Sequence, residues 1–334
     1  MFIVEEYSIA ILFCVITMLC WGSWGNTQKM ASKTWRFELF YWDYVLGMLL
    51  VSLLSALTLG SIGSQGRSFL ADLAQVELSN LTLAFIGGII FNAGNILLSA
   101  SIAIAGMSVA FPVGVGIALV LGVIINYLGS ASGNPFFLFL GVFLVVIAIV
   151  LNAIAYRSLN ENKEQNSARK GLYLAIAAGI LMAFFYRFIA ASMDLENFVS
   201  PQVGKMTPYT AFFIFALGVV FSNLFFNSWL IKKPFVGKPT SYKAYFSGSI
   251  ANHMTGLLGG MIWGTGNALN LIAAGKAGAA ISYGLGQGAT LIAALWGVFV
   301  WKEFKGASAR VNQGLLFMFL CFIVGLLLII YAGK

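Results

Sequence analysis

Gly87-Gly88-Ile89-Ile90-Phe91-Asn92-Ala93-Gly94-Asn95 and Gly259-Gly260-Met261-Ile262-Trp263-Gly264-Thr265-Gly266-Asn267 are one pattern written twice, 172 residues apart. Extended over 87–116 and 259–288, the match keeps ten identities in thirty positions, among them Gly106/Gly278, Gly114/Gly286 and Gly116/Gly288. Such self-similarity marks an internal repeat. The first copy lies in a stretch, Leu78 to Tyr156, where 79 residues pass without an Asp, Glu, Lys or Arg. A helix needs about 20 apolar residues to cross the hydrocarbon core of a bilayer. Three spanning helices fit there, turning near Ala105-Gly106 and between Ser130 and Pro135.

The rest of the chain agrees. Of its 334 residues, 60% are hydrophobic and 9% charged, against roughly 25% charged in an ordinary soluble domain. Thirty charges cannot coat a water-facing globule of this length, which excludes a soluble enzyme and a disordered chain. Outside the 79-residue stretch, apolar runs at Tyr7–Gln28, from Asp43 to Gly66, and at 171–193, 207–231, 253–274, 277–301 and 313–331 each have the length of a span. The expected fold is an all-α membrane protein of ten transmembrane helices. Residues 1–156 form one five-helix repeat, 157–170 a polar cytoplasmic linker and 171–334 the second repeat. Five helices separate equivalent positions, so the two halves are inverted relative to each other, an arrangement typical of transporters that alternate about a midplane site.

Basic residues fix the expected orientation. Fourteen Lys and Arg fall in the connections after helices 1, 5, 7 and 9, and four (Arg67, Lys205, Lys276, Lys334) on the opposite face. Both termini are therefore expected outside the cytoplasm, in a cell (inner) membrane. The net charge of +8 is mostly this topological bias, and no contiguous basic stripe suggests nucleic acid. Cys14, Cys20 and Cys321 all sit in apolar runs and read as small hydrophobes, with no disulfide or metal pairing. Glu5 and Glu6 stand where a signal peptide would carry Lys or Arg, so the first run is expected to stay as a helix.

The segments Trp21-Gly-Ser-Trp-Gly-Asn-Thr-Gln-Lys29, Gly87 to Asn95, Gly106-Met-Ser-Val-Ala-Phe-Pro-Val-Gly-Val-Gly116 and Gly286 to Phe304 resemble the drug/metabolite transporter superfamily. Within it, the chain looks most like the branch of rhamnose-proton symporters, bacterial glucose/ribose uptake permeases and ureide permeases. Tyr41-Trp-Asp-Tyr44 followed by Leu57-Thr-Leu-Gly60 is particularly similar to the ureide permeases. Two departures matter. The long central loop with a phosphate-loop-like motif that plant ureide permeases carry is replaced by the short Arg157–Lys170 segment, so neither ATP nor another cofactor is expected. The mid-membrane acid in helix 1 of small multidrug exporters is missing, since no acid follows Glu6 in that helix.

Polar groups inside lipid are costly and face a cavity or another helix. Asn92 and Asn95, and Asn267 and Asn270, form i, i+3 pairs on helices 3 and 8. Carboxamides donate and accept, suiting hydroxyls, ring imides and urea-like groups. Asn95 and Asn267 match across the repeat and fit interhelical bonding as well as solute contact. Asn92 and Asn270, paired with Gly264 and Leu98, lean toward the solute. Tyr283 and Gln287 oppose Phe111 and Val115, offering polar groups where the other half is apolar. Trp21 and Trp263 are expected to stack on a ring, while Trp24, near a helix end, fits an interfacial aromatic belt equally well.

Asp43 reads as a proton-coupling carboxyl or a solvated helix end, and Arg187 as its partner, a solute ligand or a snorkelling side chain. His253, the sole histidine, reads as a cap or interface residue first and a proton relay second. Lys302 and Glu303 read as anchors, and Pro112 as a packing kink or a gate hinge. One histidine and so few intramembrane acids do not make an enzyme. The expectation is a secondary transporter of a small neutral polar solute, a sugar, nucleoside or ureide-like compound. It would work by alternating access and proton-coupled uptake, as a monomer or homodimer. A drug or amino-acid exporter of the same superfamily is the alternative.

Overall fold

A computed structural model describes residues 1–159 and 165–334. Lipid offers no water to the backbone, so each spanning segment must close its hydrogen bonds within itself. Accordingly the described residues are helical throughout, with no β-sheet. Ten long helices follow one another: α1 (Tyr7–Ala31), α2 (Phe37–Leu57), α3 (Leu78–Ala105), α4 (Met107–Ala110, Phe111–Val115 and Gly116–Gly129), α5 (Pro135–Leu159), α6 (Gln165–Ala191), α7 (Pro208–Lys232), α8 (Ile250–Ala277), α9 (Ala279–Val300) and α10 (Ala309–Ala332). Short helices Phe69–Gln75 and Tyr242–Phe246 lie in the α2–α3 and α7–α8 connections.

Local chemistry sets the ends. Pro135 and Pro208 open α5 and α7, where a missing N–H costs nothing. Ser249 and Ser308 accept the Asn252 and Val311 N–H groups at the starts of α8 and α10. The repeat-matched Gly106 and Gly278 close α3 and α8 with φ of 87° and 82°. An L side chain resists that backbone region, so glycine at both places lets the chain reverse at once into α4 and α9.

Nine helices are long and apolar enough to cross a bilayer among the described residues, against ten expected. The exception is α8, which at 28 residues is as long as any but is diluted by Asn252, His253, Asn267, Asn270 and its glycines. The second expected span is shifted: α2 starts at Phe37, not after Asp43, and ends at Leu57. Its early charge is tolerated because buried Glu38 pairs with Arg36 at 2.8 Å. Helices α5 and α6 enter the expected 157–170 linker from both sides, while Lys163, one of its basic residues, lies outside the described residues.

The helices pack in two interlaced groups, α1, α2, α8 and α9 in one and α3, α4, α6 and α7 in the other, with α5 against α10. Each group therefore takes two helices from each sequence half. Small residues let backbones touch where no hydrophobic force drives helices together. A Cβ on Gly47 or Gly260 would strike the Leu257 or Tyr44 carbonyl between α2 and α8, and a Cβ on Gly88 or Gly218 would strike the Phe215 or Phe85 carbonyl between α3 and α7. Large apolar side chains such as Phe143, Phe225 and Leu320 stay exposed around the outside, as a lipid-facing surface requires.

Replacing Gly260 with Ala should lower the thermal midpoint of the detergent-purified protein, the overpacking costing about 1–3 kcal/mol. Gly314 of α10 has nothing within 4 Å of its Cβ position. Gly314→Ala should leave the midpoint unchanged or raised, and equal losses in both variants would contradict the contact.

Candidate functional site

Where the two helix groups meet, a cavity is walled on one side by Trp21 and Trp24 of α1, Trp263 of α8, and Gln287 and Ala289 of α9. The other wall is Leu98 of α3, Phe111 and Val115 of α4, and Met182 and Phe185 of α6. None of these side chains is ionised, and all the polar ones belong to the first group. The free space at the centre is about 20 Å³, enough for one water molecule.

The first wall is built on its aromatics. Trp21 and Trp263 stack with ring centroids 5.6 Å apart and planes within 8°, and Phe91 meets Trp263 at 4.3 Å. The repeat glycines make room for Trp21: a Cβ at Gly286 would lie 2.7 Å from its ring, and one at Gly266 only 3.1 Å from its Nε1. Trp24, 2% exposed, packs on Tyr44 with centroids 4.9 Å apart and planes tilted by 49°. It belongs to the core and not to an interfacial belt.

The expected amides divide by what already holds them. Asn92 donates to Ser222 Oγ (2.9 Å), Asn95 to the Tyr41 hydroxyl (3.1 Å) and Asn270 to the Ser282 carbonyl (2.8 Å), leaving each Oδ1 without a partner. Asn267 is fully buried with neither side-chain atom bonded, and the Trp21 indole N–H and the Tyr44 hydroxyl are also unpartnered. Buried polar groups in folded proteins are nearly always bonded, so this cluster stands out. The freest amide is thus repeat-matched Asn267, while Asn92 and Asn270 are partly tied to the scaffold. Asn223 on α7, buried with both atoms unpartnered, is a candidate that the motif reading passed over.

Tyr283 is withdrawn from the cavity: its hydroxyl donates to the Ala118 and Met182 carbonyls at 3.2 and 3.0 Å. Gln287 lines the same cavity as Phe111 and Val115. Pro112 sits in a π-helical turn, Phe111–Val115, and faces a separate apolar groove beside Val146, Ile149 and Ile180. Its missing N–H suits a turn in which the regular bonding pattern already breaks.

Asp43 is not paired with Arg187. Its carboxylate takes His253 Nδ1 at 2.9 and 3.0 Å and the Tyr245 hydroxyl at 2.7 Å. Burial, and then the Asp43 carboxylate, hold the Tyr245 phenol above its usual range. Arg187 lies instead against Gly129 at the end of α4. His253 is therefore more than a cap, and Tyr245, 202 residues from Asp43, carries no local signal that would have joined them.

Glu303 anchors as expected, pairing with Lys29 at 2.6 Å. Trp296 Nε1 donates to Ser23 Oγ (2.9 Å) and Trp301 Nε1 to Asn26 Oδ1 (2.7 Å), so one face of α1 is held at three successive turns by the end of α9 and the turn after it. Beside this seam a second cavity of about 440 Å³, lined by Gln28, Lys29, Arg36, Glu38 and Met107 among others, reaches within one helical turn of Trp24.

The profile of the ureide permease family matches residues 40–170 and 163–332. The chain belongs to the ureide permease family. Ureide permease 1 of Arabidopsis thaliana is 26% identical over 379 aligned positions, covering 97% of both chains. An L-rhamnose-proton symporter of Cronobacter sakazakii is 26% identical over 254 positions, covering 71% of this chain and 70% of the symporter. A solved crystal structure superposes with a TM-score of 0.58 at 13% identity, covering 96% of this chain and 98% of the other, a likeness of fold alone. As a member of the ureide permease family this is a multi-pass membrane protein that transports small solutes, not an enzyme.

In this permease an unpartnered buried polar group costs about 1–3 kcal/mol, and a lost hydrogen bond about 1 kcal/mol. Asn267→Leu should therefore leave the thermal midpoint unchanged or raised, whereas Tyr283→Phe should lower it. Melting curves of the purified variants decide, and a large loss in Asn267→Leu would show that this amide supports the fold.

Proposed function

We propose that this permease takes up a small neutral polar solute, with sugars, nucleosides and ureides as the candidate classes. The observation that carries the reading is the cavity wall itself: stacked indoles, Gln287 and nearby unpartnered amides, with no ionised side chain. Indole faces suit sugar or heterocycle rings, amides suit hydroxyls and ring N–H groups, and an uncharged buried wall disfavours an ionic solute. The names of the relatives, ureide permeases and an L-rhamnose-proton symporter, point to the same classes.

Transport is by alternating access. A closed centre of about 20 Å³ admits no such solute until the helix groups part, and the larger cavity beside Lys29 and Arg36 is the natural exit. We read the chain as ten spans, α8 included, forming two inverted five-helix repeats. Support comes from the 172-residue match, the positive-φ glycines at both equivalent turns, and the mirrored packing in which α3 meets α6 and α7 as α8 meets α1 and α2. The basic loops then place both termini outside a cell membrane. Proton-driven uptake, with Asp43 at the coupling site, follows the symporter relative.

Thermal stabilisation of the purified protein by a panel of sugars, nucleosides and ureides, followed by uptake into proteoliposomes with an inward proton gradient, tests the reading. We expect at least one panel member to stabilise the protein and to accumulate only while the gradient lasts. Accumulation of drugs or amino acids, with no response to the panel, would overturn it.

A further inference from the structure

Four ion pairs stand among the described residues, and three of them join a carboxylate to Lys or Arg: Lys29–Glu303, Arg36–Glu38 and Arg67–Asp72. Lysine and arginine keep their charge throughout the neutral range. The fourth, His253–Asp43, contains an imidazole, the side chain suited to gain and lose a proton between about pH 5 and 8. It also sits between α2 and α8, the helices that carry Tyr44 against Trp24 and Trp263 into the cavity wall.

With Asp43 ionised, the geometry assigns the roles of the two ring nitrogens. Both Asp43 oxygens lie within bonding distance of Nδ1, and a carboxylate only accepts, so Nδ1 carries the ring proton and Nε2 of the neutral imidazole is left as the acceptor. Nε2 lies beside Gly248, where a Cβ would come within 2.9 Å of it. The imidazole side is 29% exposed and the carboxylate side 7%. A proton can therefore reach the ring while Asp43 stays covered.

We propose that His253 is the proton-binding group of the transport cycle, taking the proton at Nε2, with Asp43 as its positioning counter-charge. The proposal rests on the reading of this chain as a proton-driven permease. Protonation turns the bond from a neutral imidazole to the carboxylate into a full ion pair and tightens the α2–α8 seam; release loosens it. Of the other groups around the pair, Tyr245 bonds Asp43 from the short helix Tyr242–Phe246, and Trp35 presents a neutral ring 5.1 Å from the imidazole. On α8 the neighbour Asn252 is bonded by Thr34, and at the start of α2 Arg36 and Glu38 are paired with each other. Tyr242, on the same short helix as Tyr245, bonds Ser228 of α7. The short helix thus ties the proton site to the second helix group, which supplies the apolar wall of the cavity.

Two measurements separate this inference from the reading beneath it. Proteoliposomes are assayed with radiolabelled L-rhamnose, allantoin and uridine, first for exchange at equal pH and then for accumulation under an inward proton gradient. We expect His253→Gln and Asp43→Asn to keep exchange and lose accumulation. Wild-type accumulation in His253→Gln would overturn the inference and leave the transport reading standing, whereas no exchange of any probe by the wild type would count against that reading. Because the chain holds one histidine, tag-free protein labelled with 15N-histidine gives a single imidazole signature that needs neither a solute nor a variant. The expected result is a protonated Nδ1 with an Nε2 signal that moves with pH. An Nε2 signal that stays fixed between about pH 5 and 8 would overturn the proposal even if both variants fail to fold.

Discussion

Backbone contact between helices is the constraint on which the rest depends. Inside a bilayer the hydrophobic effect does not press helices together, so what holds them is close packing where side chains are small enough to allow it. Gly47 and Gly260 lock α2 to α8, and Gly88 and Gly218 lock α3 to α7. Each contact lies within one helix group, so each group is fixed by its own pair. Between the groups, indole, phenyl and aliphatic side chains meet across a cavity, and side-chain hydrogen bonds such as Asn95–Tyr41, Gln28–Ser99 and Tyr283–Met182 join the groups beside it.

On the proposed inverted-repeat reading, the same division would let a nearly symmetric scaffold hold an asymmetric site. Gln287 and Val115 occupy equivalent places in the two repeats, as do Asn270 and Leu98. Val115, Leu98 and Gln287 line the cavity, while the Asn270 amide lies beside Gly286 and the Trp21 ring. One wall therefore carries the hydrogen-bonding capacity and the other excludes water from it. An amide in such a place is stronger as a partner and costlier when left alone, because the low dielectric acts in both directions.

Much of this was legible in the chain. Gaps between charges located the long helices, since lipid tolerates few ionised groups, and the Gly106/Gly278 match marked two turns that require positive φ. Where the reading slipped, a long-range contact overrode a local rule. Asp43 looked like the border of α2 because a charge usually ends an apolar run, yet His253 and Tyr245 from distant segments let it sit nearly two turns inside. Trp24 resembled a belt residue by its place near a helix end, but Tyr44 buries it. Helix α8 falls short of the others in hydropathy because its asparagines, His253 and glycines lower the average. Tyr283 had the right neighbours in sequence, and only the structure reveals that its hydroxyl is already committed to two backbone carbonyls.

The interlaced grouping has a consequence for what can move. Trp21, Trp24, Trp263 and Gln287 all belong to α1, α2, α8 and α9, so on the proposed reading a solute bonded to the polar wall would be held by one helix group, not bridged between two. The opposite wall, Leu98, Phe111, Val115, Met182 and Phe185, presents only apolar side chains to the cavity. Dispersion contacts of that kind are weak singly and lack direction, so that wall can withdraw without first breaking hydrogen bonds to the solute. On the proposed reading the polar wall would decide what is bound and the apolar wall when it is covered. Since α1 is also pinned at Ser23, Asn26 and Lys29, the tryptophans it carries stay in register with α9 whichever way the other group turns.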